Sequence, residues 1–73
     1  MRFPDEITET SLTEVKNTAK QGWTAQLKDY AAIAEQQGKQ FILKVRPGAD
    51  LSKPLKAAAA AGKVIIQGLR MLL

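Results

Sequence analysis

Pro4-Asp5-Glu6-Ile7, followed after a polar stretch by Leu12-Thr13-Glu14-Val15-Lys16, decides how this chain is read. The second segment has strand character. On a strand, residues i and i+2 project from the same face. Glu14 and Lys16 therefore point one way, and Thr13 and Val15 the other. If Asp5 ends one strand of a hairpin and Glu14 sits on the next, two carboxylates and an ammonium converge. Two hard oxygen ligands suit Mg²⁺, which keeps several of its waters. Such an ion activates water and stabilises charge on a phosphoryl oxygen. The lysine beside it orients the attacking water or neutralises charge as it develops. The plain alternative is a short edge strand with Glu14 and Lys16 in solvent.

Working outward, Arg2-Phe3 reads as the end of a strand, with Pro4 suited to a strand end because it donates no ladder hydrogen bond. Asp5 to Ser11 is polar and reads as a hairpin loop. Leu12 to Asn17 is the second strand, and Thr18 to Gly22 a loop carrying Lys20. Trp23, Leu27, Tyr30, Ala31 and Ala34 recur at helical spacing. They predict a helix from Thr24 to Gln37, with Thr24 as N-cap and Gly38 just past the end. Gln26, Tyr30 and Ile33 share an overlapping stripe. Gln26 and Tyr30 read either as groups facing the carboxylates or as a boundary residue and a core aromatic. Phe41-Ile42-Leu43-Lys44-Val45 reads as a buried central strand. A strand, a helix and a strand form a right-handed crossover, so these strands are expected to be parallel. Arg46-Pro47-Gly48 turns the chain, with Arg46 at the strand end where open α/β sheets place ligands. Ser52 caps a second helix, Lys53 to Ala61, which tolerates Pro54 in its first turn. Leu55, Ala58 and Ala59 form its packing face, and Gly62 stops it. Lys63-Val64-Ile65-Ile66-Gln67 is the last strand. The tail Leu69-Arg70-Met71-Leu72-Leu73 is apolar and is expected to pack on the sheet or on a partner. The expected class is α/β, in the order β-β-α-β-α-β, with an antiparallel hairpin followed by parallel crossovers.

The 73 residues allow one domain with a thin core. There is no cysteine and no histidine, which excludes disulfides, Cys/His zinc sites and histidine bases. Any metal must be held by carboxylates. The 11 basic and 7 acidic residues give a net charge of +4, which fits phosphate contact as well as an ordinary soluble surface. No run approaches the ~18 apolar residues of a membrane span. No signal-peptide pattern is present, so if the chain is exported the signal belongs to a larger precursor or a separate delivery machine.

The string Pro4-Asp5 … Glu14-Val15-Lys16 resembles the signature of the PD-(D/E)XK, or restriction-endonuclease-like, nucleases. Gln26-Leu27-Lys28-Asp29-Tyr30 is similar to the Q-x-x-x-Y motif that follows the lysine strand in RecB-like members. The chain from Arg2 to Leu69 also resembles C-terminal toxin domains of bacterial polymorphic toxins with this fold. Leu12 to Asn17, Gln26 to Tyr30, Val45 to Gly48, Leu51 to Leu55 and Gly62 to Ile66 carry the likeness. The resemblance implies Mg²⁺ or Mn²⁺ held by Asp5, Glu14 and the Val15 carbonyl, and a water positioned by Lys16. Gln26 and Tyr30 would support the site. Lys20, Lys28, Lys44 and Arg46 are the expected contacts to the DNA backbone, with little sequence preference. Family members carry a helix and a strand ahead of the Pro-Asp position. Residues 1–73 are therefore expected to be a single domain forming the C-terminal part of a larger nuclease domain. The incomplete sheet is expected to pair with a second copy or with a cognate immunity protein. Delivery by a bacterial secretion system into a target cell's cytoplasm is also implied. The alternatives are a non-catalytic nucleic-acid-binding module and a protein-interaction module.

Overall fold

The computed structural model describes residues 5–68. Among the described residues eight elements follow one another: β1 (Glu6–Ile7), β2 (Ser11–Lys16), β3 (Lys20–Gln21), α1 (Ala25–Gln36), β4 (Gln40–Val45), β5 (Asp50–Leu51), α2 (Lys53–Ala60) and β6 (Ile65–Gly68). The main sheet has four strands in the order β1-β2-β4-β6, and β3 pairs with β5 in a separate two-stranded ladder. β1 runs antiparallel to β2. β2, β4 and β6 are parallel. This is the mixed α/β architecture expected of a restriction-endonuclease-like fold.

Local chemistry explains both helices. The Thr24 side chain accepts the Leu27 N–H at 3.3 Å, satisfying a donor that the first turn leaves unpaired. Gly38 ends α1 at φ +67°, a left-handed conformation that costs glycine little. Ser52 repeats the cap on α2 through the Leu55 N–H, again at 3.3 Å, with Pro54 in the first turn where its missing N–H does no harm.

The strand order steps one way across the parallel part of the sheet. Two right-handed crossovers in one direction carry both helices to the same face. A single core follows, joining Leu27, Tyr30 and Ala34 of α1 and Leu55 and Ala58 of α2 to Leu12, Phe41, Leu43 and Val45 of the sheet. Tyr30 meets Phe41 edge-on, ring centroids 6.2 Å apart.

Several expectations change. Asp5 does not end a strand; it precedes β1, and the hairpin turn is confined to Thr8–Thr10. There Thr8 receives the Ser11 N–H on its hydroxyl at 2.9 Å and donates its own N–H to the Ser11 carbonyl at 2.8 Å. The stretch Thr18–Gly22 is not wholly loop, because Lys20 and Gln21 pair with Asp50 and Leu51. Two-residue ladders depend on a distant partner, which local propensity does not reveal. β4 is central, but only Phe41, Leu43 and Val45 are buried; Ile42 and Lys44 lie half-covered on the face away from the helices. The expectations for Arg2-Phe3, Pro4 and the Leu69–Leu73 tail lie outside the described residues.

Candidate active site

β2 carries the site because its alternation meets the helix-covered face of the sheet. Leu12 lies against Phe41, Glu14 against Leu43 and Lys16 against Val45 in the parallel register. Leu12 belongs to the core, so Glu14 and Lys16 project on the α1 side of the sheet. Glu14 is 5 % exposed. Its Oε1 accepts the Asp5 backbone N–H at 3.2 Å. The Asp5 carboxylate in turn accepts the Val15 N–H on Oδ2 at 2.7 Å. Asp5 and Glu14 are thus tied to each other's segments, although Asp5 enters from before β1 and not from its end.

Lys16 completes the group. Its Nζ lies 3.4 Å from Glu14 Oε2 and donates to Gln26 Oε1 at 2.8 Å. Gln26 sits in the first turn of α1, where the capped helix start holds it over the sheet. Its Nε2 donates to the Tyr30 hydroxyl at 3.4 Å, one turn further on. Tyr30 is both a core aromatic and a hydrogen-bond partner. Asp5, Glu14, Lys16, Gln26 and Tyr30 therefore form one continuous chain of contacts. No buried side-chain polar atom among the described residues lacks a partner.

Burial raises the pKa of Glu14 above its ordinary value, because taking the carboxylate out of water disfavours its charged form. A hydrogen bond with Asp5 and the negative charge of Asp5 push the same way, and Lys16 opposes them. Two carboxylates crowded at a partly dry site form an electrostatic arrangement that a divalent cation relieves.

The donor set fits a hard cation. The oxygens come from Asp5 and Glu14, and a third is available from the Val15 backbone. In a strand the N–H and C=O of one residue point the same way. The Val15 N–H meets Asp5, so its carbonyl is also directed to the Asp5 side and away from β4. Among the described residues no group of three or more Asp, Glu, His or Cys is gathered. A cation held here would keep much of its shell as water, which suits Mg²⁺ better than Ca²⁺.

The four expected phosphate contacts do not lie on one surface. Lys20 is exposed in β3, on the connection from β2 to α1. Arg46 is exposed at the end of β4. Lys44 belongs to the sheet face opposite Glu14 and Lys16, since Leu43 and Val45 on either side are core residues. Lys28 falls on the flank of α1 away from Gln26. Asn17 is a residue that sequence reasoning missed. Its side-chain oxygen accepts Arg46 Nε at 3.0 Å, and its backbone carbonyl lies 3.5 Å from Nη2. The signal was the parallel register, which puts the residues after Lys16 and Val45 side by side.

A family model described as Restriction endonuclease fold toxin 7 matches residues 1–55. That span contains each of the site residues above. No curated protein and no solved structure matches the chain.

Proposed function

This chain belongs to the family Restriction endonuclease fold toxin 7, and we propose that it is a metal-dependent nuclease domain that cleaves DNA with little sequence preference. The observation that carries this reading is the meeting of Asp5, Glu14 and Lys16 along β2: Glu14 accepts the Asp5 backbone N–H and pairs with Lys16, and the Asp5 carboxylate is held on the Val15 N–H. Asp5, Glu14 and the Val15 carbonyl are the groups that would hold Mg²⁺ or Mn²⁺. When bound, the ion supplies a lowered pKa for a coordinated water and polarisation of the scissile phosphate.

The chain's own residues supply the rest. Lys16 keeps an ammonium beside Glu14, where it orients the attacking water and offsets negative charge that grows on the phosphoryl oxygens. Gln26 fixes the Lys16 amine, and Tyr30 fixes Gln26. Both are positioning residues anchored on α1. Arg46, braced by Asn17, and Lys20 contact the backbone of the nucleic acid without reading its bases. Lys28 and Lys44 stand apart from that contact.

As a toxin domain, the chain acts in the cytoplasm of a competing bacterium after delivery by a secretion system. A cognate immunity protein protects the producer. That protein or a second copy pairs with an edge of the sheet, and the mass measured by light scattering tests the latter. Among the described residues no helix is long and apolar enough to cross a membrane.

Plasmid cleavage in Mg²⁺ tests the activity. Cleavage that disappears in EDTA and in Lys16→Ala supports it. Intact plasmid with wild-type protein in either Mg²⁺ or Mn²⁺, or unchanged cleavage by Lys16→Ala, overturns it.

A further inference from the structure

A groove of about 730 Å³ runs along the other flank of α1. Its size is that of a binding cleft, yet Asp5, Glu14, Lys16, Gln26 and Tyr30 do not line it. Helical geometry explains the separation. Leu27, Tyr30 and Ala34 point into the core. Gln26 and Ile33 then fall on one side of that buried stripe, and Lys28, Ala32 and Glu35 on the other. The helix stands as a wall between the two features.

The lining has a consistent chemistry. The floor is apolar, made by the buried Ala34 and Phe41 with Trp23 beside them, the two rings 6.5 Å apart. The sides are short: Ala31 and Ala32 on α1, Ala61 and Gly62 at the end of α2. Short side chains let another backbone approach closely. Lys28, Lys39 and Lys63 rim the groove, with Glu35 as the only acidic residue among the described residues of its lining. The rim is therefore net positive around an apolar floor.

We propose that this groove between α1 and α2 docks an acidic amphipathic helix of a protein partner. Its apolar residues pack on Phe41 and Trp23, and its carboxylates meet the three lysines. Helix-in-groove recognition needs these parts: an apolar trough for residues at i, i+3, i+4 and i+7, and flanking charge that sets partner choice. Nucleic acid fits less well. Alanine walls and a Trp23 ring already packed beside Phe41 offer little for stacking bases. Because the docked helix lies across α1 from the carboxylates, binding does not depend on the nuclease reading.

Trp23 is the sole tryptophan of the chain, so its fluorescence reports occupancy directly. The probe is a synthetic amphipathic helical peptide with leucines on one face and glutamates flanking them. The same peptide with lysines in place of the glutamates, and a single-stranded oligothymidylate, serve as controls. The expected result is a saturable blue shift of Trp23 emission with the acidic peptide alone. Lys39→Glu combined with Lys63→Glu weakens that binding by about tenfold or more. The same change of charge at Lys44 and Lys53, outside the groove, leaves it within about threefold. Lys16→Ala binds the peptide as wild type does, so a failed nuclease assay and a failed docking assay are separate outcomes. The proposal is overturned if the acidic peptide gives no saturable shift, if the basic peptide binds equally well, or if the oligonucleotide alone produces the shift. It is also overturned if both charge-reversed pairs weaken binding alike, or if light scattering and self-titration show that a second copy fills the groove.

Discussion

Replacing Glu14 with Gln should make the metal-free protein more stable at neutral pH. Glu14 is 5 % exposed, and its pKa is raised first by burial and then by its hydrogen bond and charge contact with Asp5. The proton is therefore held more tightly in the folded state than in the unfolded one. Stability from this group is fully present below the ordinary carboxylate range and is lost as pH rises through the folded value. Gln keeps the shape and still accepts the Asp5 N–H, but has no charge to desolvate. It gives up the Lys16 contact at 3.4 Å, which is partly screened because the Lys16 side chain is 28 % exposed. Taking a carboxylate out of water at such a site costs on the order of 1–3 kcal/mol, and an attraction to a lysine that stays part-exposed returns only about 0–1 kcal/mol, which leaves a gain for Gln of about 1 kcal/mol. For a domain of this size that is a rise in Tm of about 4–8 °C. The assay is thermal unfolding of both proteins in EDTA from acid to neutral pH. Their difference should be near zero below about pH 4 and grow toward pH 7. Adding Mg²⁺ at a hundredfold excess over its Kd should then stabilise wild type by about 2.7 kcal/mol, enough to reverse the order. A variant less stable than wild type at neutral pH in EDTA, or a difference that ignores pH, would refute the reasoning.

Gln26→Ala should lower cleavage about 10–100-fold through loss of Lys16 positioning, while DNA affinity measured by filter binding stays the same. Arg46→Ala should weaken DNA binding and reduce the slope of log K against log [salt] by about 0.9, the share of one phosphate contact on duplex DNA; Lys44→Ala, on the opposite sheet face, should leave that slope unchanged. Leu43→Ala, at a fully buried core residue, should cost about 3–4 kcal/mol in urea unfolding, a large share of what a domain this small has.

The chain of contacts from Asp5 to Tyr30 was legible for definite reasons. Glu14 and Lys16 share a face because strand alternation is a covalent consequence of the extended backbone. Gln26 and Tyr30 share a stripe because a helix repeats about every 3.6 residues. Both periodicities are local, and both survived folding. The direction from which Asp5 arrives was not legible. A polar stretch reads as loop, and only the pairing of Glu6 with Thr13 and Ile7 with Leu12 makes it a strand. Asn17 was missed for a similar reason. Nothing near it in the chain points to Arg46; the register of β2 on β4 brings them together.

The basic residues mark the limit most clearly. Lys20, Lys28, Lys44 and Arg46 look alike in one dimension, and charge carries no direction until side chains are assigned to faces. Amino-acid order alone determined the class of the fold, the parallel crossovers and the residue types at the carboxylate cluster, because these follow from short-range periodicity, capping and the handedness of the chain. Tertiary structure decided how deeply Glu14 is buried, which lysines stand near it, and that a lysine-rimmed groove lies on the far side of α1. Those are properties of surfaces in contact, and they exist only once separate elements have packed.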